Sequence, residues 1–220
     1  MNIKCSACSS EIDDKYCSTC GQYFKSERIT SISILKDLFG NIFSLEKSFF
    51  KNFKLLFFQP KKLVTNYWNG YRGFYYSPSR FLTIAALFTL FDSIFTDDFF
   101  GIEVTSIVVP QLTVLIINII LLTFFSFVVY FRFKKTFYEH LILNMCTVSL
   151  WAMLFVPISM LLNLLDIDKF EIFFFLPFHL LIMIWNSKSF EMSKLNRFIY
   201  IALNFILLYG IIFLLVYLNR

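Results

Sequence analysis

Apolar residues recur at Leu35, Leu38, Ile42, Leu45, Phe49, Phe53 and Leu56, in steps of three or four. That spacing is the period of one helix face. Phe39, Phe50 and Phe57 widen the stripe, and Lys36, Lys47, Lys51 and Lys54 occupy polar positions. The pattern predicts an amphipathic helical neck from Ile34 to Phe58, divisible at Gly40 and Ser44 and stopped by Pro60. Beyond residue 80 the alternation gives way to five apolar segments, at about 81–100, 110–131, 139–165, 170–187 and 197–218. A transmembrane helix needs about 20 apolar residues. The second, third and fifth segments satisfy that outright. The first spans only if it extends past Asp92, Asp97 and Asp98, and the fourth only if both ends are extended.

Between neck and segments lies Tyr67-Trp68-Asn69-Gly70-Tyr71-Arg72-Gly73-Phe74-Tyr75-Tyr76-Ser77-Pro78. Trp and Tyr beside Arg are residues of the membrane–water interface. Its glycines permit turns, and Pro78 suits the first turn of a helix.

Composition agrees with a membrane protein. Of 220 residues, 58% are hydrophobic and only 16% charged, and Phe alone contributes 31. These values exclude intrinsic disorder, a coiled coil and an ordinary soluble enzyme. The net charge of +5 is unevenly placed. Residues 1–30 carry four basic and four acidic side chains, 31–80 eight and two, 81–220 eight and nine. The excess therefore belongs to the neck, where lysines and a Phe-rich stripe suit an anionic leaflet. A helix pair packed on the membrane body is the alternative, and both can hold at once.

The loops alternate in sign. Asp97, Asp98 and Glu103 follow the first segment, and Arg132, Lys134 and Lys135 the second. Asp166, Asp168 and Glu171 follow the third, and Lys188, Lys194 and Arg197 the fourth. Basic loops mark the cytoplasmic side. The expected topology has head and neck inside and the C-terminus outside.

The head holds two C-x-x-C knuckles, Cys5/Cys8 and Cys17/Cys20, with Gly21 after the last. Two such turns form the four-sulfur tetrahedral shell preferred by Zn²⁺. Disulfides would need export, and Met1–Cys5 shows no apolar signal core. The expectation is a structural zinc in a reducing compartment. With zero net charge, residues 1–30 lack the basic footprint of a nucleic-acid reader. A protein partner, in the cytosol or the membrane, is the expected use.

Two ionisable residues are expected deep in the membrane, Asp92 and His179. Counting residues from the flanking charges puts both near the midplane, where an Asp–His pair could relay protons or bind an ion. Glu139 and His140, after Tyr138, are expected at the inner boundary of the third segment as an exposed anchor, and Cys146 as an inert apolar residue. The sequence has no phosphate-cradling glycine loop, H-E-x-x-H or G-x-S-x-G.

Three patterns together resemble an uncharacterised family of bacterial integral membrane proteins. They are Cys17-Ser18-Thr19-Cys20-Gly21-Gln22 with Arg28-Ile29-Thr30, then Tyr67-x-x-Gly70-x-Arg72-x-x-Tyr75-x-x-Pro78, and Tyr138-Glu139-His140. Tyr71 stands where the family often has Lys. The resemblance implies a zinc-ribbon membrane protein and no particular activity.

The expected architecture is an all-α membrane protein of about five transmembrane helices. A four-cysteine zinc ribbon (1–30) and a basic juxtamembrane neck (31–80) precede the helical domain (81–220). Three functions are compatible with it. The first is a non-enzymatic inner-membrane protein whose ribbon and neck form an interaction or regulatory module. The second is a small transporter or proton pathway through Asp92 and His179. The third is an enzyme acting on lipid at the inner interface, with Arg72, Glu139 and His140 as candidates.

Overall fold

The computed structural model describes residues 3–5, 8–12, 15–21, 30, 32, 49–71, 75–96, 98–103, 110–165 and 172–218. The predicted neck helix before Phe49, together with Arg72 and Asp97, lies outside these residues.

The chain is mostly helical. A two-stranded hairpin, β1 (Ile3–Lys4) and β2 (Glu11–Ile12), carries the Cys-rich head and pairs Ile3 with Ile12 and Lys4 with Glu11. Helix α1 (Phe49–Phe58) ends before Pro60, whose missing N–H and fixed φ then open α2 (Pro60–Trp68). Leu56, Leu63 and Val64 are fully buried, while Phe50 and Phe58 stay exposed. The neck therefore packs on the body and keeps an outward Phe-bearing face.

Ser77 caps α3 (Pro78–Asp92) by accepting from the Arg80 N–H. The expected continuation of the first segment toward Phe100 is not helical. The N–H groups of Phe95 and Thr96 turn back to the Asp92 carbonyl at 2.8 and 3.0 Å. A short hairpin follows, β3 (Asp98–Phe99) and β4 (Ile102–Glu103), with Gly101 at φ 76° in its turn. The reason is burial: Phe99 and Phe100 fold back against Phe178, at ring-centroid distances of 6.2 and 5.2 Å. Extending the helix would leave both rings outside the core.

The remaining helices are α4 (Pro110–Val129), α5 (Phe137–Leu164), α6 (Ile172–Lys188) and α7 (Lys194–Leu218). Among the described residues, three helical stretches are long and apolar enough to cross a membrane: Gln111–Val129, Phe137–Leu164 and Lys194–Leu214. With 17 and 15 residues, α6 and α3 are shorter. Helix α5 packs against α3, α4 and α6, and α7 closes the bundle against α4 and α6. The helices α5 and α6 run through Pro157 and Pro177. Of the three long helices α5 is the most enclosed and α7 the least, presenting Phe198, Ile206 and Phe213 outward.

The α4–α5 and α6–α7 connections meet α2 at one end of the bundle. Trp68 Nε1–H donates to the Glu139 carbonyl at 3.0 Å, and the Phe190 ring lies 4.9 Å from that of Phe133. This end gathers Lys61, Arg132, Lys134, Lys135, Lys188, Lys194 and Arg197. The basic loops thus share one end with the neck.

Candidate metal centre and buried polar groups

The first knuckle is shaped by the hairpin. Cys5 N–H donates to the Ser10 carbonyl at 2.8 Å and Ser9 N–H to the Cys5 carbonyl at 2.9 Å, with Ser9 at φ 63°. In the second knuckle Gly21 N–H donates to the Cys17 carbonyl at 2.8 Å, and its φ of 69° favours glycine. Together the turns bring the Sγ atoms of Cys5, Cys8, Cys17 and Cys20 within 4.8 Å of one another. Cys5–Cys20 and Cys8–Cys17 are each separated by 3.5 Å. A disulfide would require about 2.05 Å, so these are free thiols. Sulfurs about 2.3 Å from a tetrahedral metal lie roughly 3.8 Å apart. The cluster fits that spacing and can hold a metal ion.

Cys5 and Cys17 are buried and Cys8 and Cys20 exposed, so one side of the centre faces the hairpin and the other solvent. Ser10 Oγ lies 2.7 Å from Cys8 Sγ and 3.1 Å from Cys17 Sγ. Its hydroxyl is the main cause lowering both thiol pKa values, that of Cys17 to about 6. This favours the thiolate form required for metal ligation.

The head is tied to the body. The Tyr71 hydroxyl donates to the Lys4 carbonyl at 2.6 Å. Burial raises the Tyr71 pKa, with the Cys5 charge adding to it, so the phenol remains a donor. Just before Tyr71 the chain turns at Gly70 (φ 96°), whose N–H donates to the Tyr67 carbonyl at 3.2 Å. Tyr67 and Tyr75 are buried, and the Tyr75 hydroxyl accepts from Asn66 Nδ2 at 2.8 Å. Within the protein, Tyr67 and Tyr75 pack among core residues. Pro78 opens α3 as expected.

The chain matches no protein-family model, no curated protein and no solved structure. The resemblance to zinc-ribbon membrane proteins rests on its motifs alone.

Within the bundle, Asp92 and His179 do not hydrogen-bond to each other. Asp92 is buried where α3 ends. His179 Nδ1 lies 2.8 Å from the Phe175 carbonyl, and Nε2 lies 2.7 Å from Asn118 Oδ1. The Tyr209 hydroxyl is 3.4 Å from Nδ1. His179 thus joins α6 to α4 and α7.

Glu139 and His140 are not an exposed anchor. Both are buried, and Glu139 completes a capping box. The Glu139 N–H donates to Thr136 Oγ1, and the Thr136 N–H donates to Glu139 Oε2 at 2.7 Å. His140 Nδ1 pairs with Ser126 Oγ at 2.8 Å. Farther along α5, Asn186 Nδ2 donates to Asn144 Oδ1 and Thr147 Oγ1 donates to Asn186 Oδ1, both at 2.8 Å. Cys146 is fully buried.

Sequence reasoning weighed ionisable groups and missed Asn118, Ser126, Asn144, Thr147 and Asn186. A signal was present: His140, Asn144 and Thr147 recur at helical spacing and share one face.

Proposed function

We propose that this chain is a bacterial inner-membrane protein whose cytosolic ribbon holds a structural zinc and serves as an interaction or regulatory module on a helical membrane body. All-thiolate coordination suits Zn²⁺ and leaves no open position for catalysis. The reading places the N-terminus in the cytoplasm and the C-terminus outside, with α3 and α6 joining the three longer helices as spans. The alternating loop charges support that topology. The motif resemblance favours the same architecture.

The observation that carries the proposal is the hydrogen bond from Tyr71 to Lys4. It couples the metal loop to the turn that follows α2, so ribbon state and body can influence each other. The test is metal analysis and in-cell crosslinking of the full chain against a form lacking residues 1–30. Stoichiometric zinc and a crosslinked protein lost on deletion are expected. Disulfide-bonded Cys5, Cys8, Cys17 and Cys20, or an unchanged crosslinking pattern, would overturn the reading.

A further inference from the structure

A cavity of about 380 Å³ opens where α2 meets the connections on either side of α5 and α6. Lys61 stands on one wall and Lys135 on another. Trp68, Phe133 and Phe190 supply aromatic surface. Thr65, Asn69 and Glu191 also line it, as does Ser189, only 3% exposed and with no hydrogen-bond partner for its Oγ. This wall is built from three separate parts of the chain.

The polar lining combines two cationic donors, Lys61 and Lys135, with the Glu191 carboxylate. Each lysine carries three N–H groups. Lys61 contacts Glu191 Oε1 at 2.7 Å, and Lys135 contacts Glu139 Oε1 at 3.4 Å and lies 4.6 Å from the Trp68 ring centre. Each ammonium therefore has donors left for a ligand. Two ammonium groups and a buried hydroxyl suit a tetrahedral oxyanion. The aromatic surface suits the glycerol or acyl stem attached to it, and the cavity sits among basic residues at the bundle end. We propose that this cavity binds a phosphate ester, with Lys61 and Lys135 holding the oxyanion, Ser189 donating to it and the aromatic wall covering its stem. This site is separate from the thiolate cluster and does not depend on metal there.

The phosphate can arrive on a lipid headgroup or in a soluble molecule, and binding experiments distinguish them. The full-length protein in a neutral detergent is titrated with dihexanoyl-phosphatidylglycerol, dihexanoylglycerol and inorganic phosphate. Phosphatidylglycerol binds and dihexanoylglycerol does not. A combined K61Q and K135Q substitution weakens binding by at least about tenfold, and S189A by a smaller factor. Lys62, exposed on the same helix but outside the cavity lining, is the control. Its substitution K62Q leaves binding within about twofold. Inorganic phosphate binding as tightly as the lipid supports the phosphate site and assigns a soluble source. Equal binding of dihexanoylglycerol overturns the proposal, as does a K62Q loss as large as that of the double variant. If K135Q disturbs folding, K61Q with S189A carries the same comparison.

Discussion

The Tyr71 hydroxyl lies 2.6 Å from the Lys4 carbonyl, one residue before the first thiol of the metal cluster. A buried phenol bonded to backbone has little freedom, so the ribbon edge is held in one place over the neck. Removing the hydroxyl with Y71F costs about 1 kcal/mol of docking free energy. Hydrogen exchange at residues 3–12 reads it: exchange speeds up while protection in α4 and α5 is unchanged.

Chelation separates the two layers of the molecule. Among the described residues the head has little regular structure and few buried apolar side chains, so a metal held by its four thiols would supply much of its folding free energy. Stripping the metal unfolds the ribbon and leaves the helical far-ultraviolet signal nearly intact. A collapse of helicity on chelation would contradict this division.

Ser10 tunes the thiols. Its hydroxyl lowers the pKa of exposed Cys8, which favours the thiolate needed to bind metal. The substitution S10A raises that pKa, and the pH midpoint of metal loading moves upward. An unmoved midpoint removes Ser10 from this role.

Asn118 and His179 form a bond across α4 and α6, 2.7 Å long and fully buried on the histidine side. N118A costs about 0.5–2 kcal/mol, the range for interhelical bonds in membranes. Thermal unfolding in detergent measures it. Adding H179F recovers part of the loss, since no unpaired ring nitrogen then remains.

Glu191 gives the pH-dependent case. Its hydrogen bond and ion pair with Lys61 lower its pKa, so the pair is present above the ordinary carboxylate range and is lost as pH falls through the lowered value. Both side chains are largely solvent-exposed, so the contribution to stability is small. E191Q leaves the unfolding temperature unchanged near neutral pH and strengthens phosphate binding by freeing Lys61. Weaker phosphate binding in E191Q would show that the carboxylate organises the cavity.

Much of this organisation was legible in the sequence because hydrophobicity acts locally. Continuous apolar runs placed α4, α5 and α7, and two C-x-x-C turns placed the thiol cluster. Pro60 marked a helix stop and Pro78 a helix start for a backbone reason. What depends on distant partners was not legible. The fate of Phe99 and Phe100 is decided by Phe178, far along the chain. Burial of Glu139 and His140 depends on Trp68, Ser126 and Phe190. Asn118 meets His179 only after α4 and α6 are side by side.

The unequal lengths of α3 and α5 bear on the bilayer itself. At 1.5 Å per residue, the 15 residues of α3 reach about 22 Å and the 28 residues of α5 about 42 Å. A hydrocarbon slab about 30 Å thick matches neither, yet the two helices pack together. With α3 taken as a span, as proposed above, steep tilt would accommodate the longer helix and local thinning the shorter one. The Phe99–Phe100 hairpin, packed on Phe178, would then cap the short helix from within the protein. On that reading lipid chain length becomes a variable to which the packing of this protein responds.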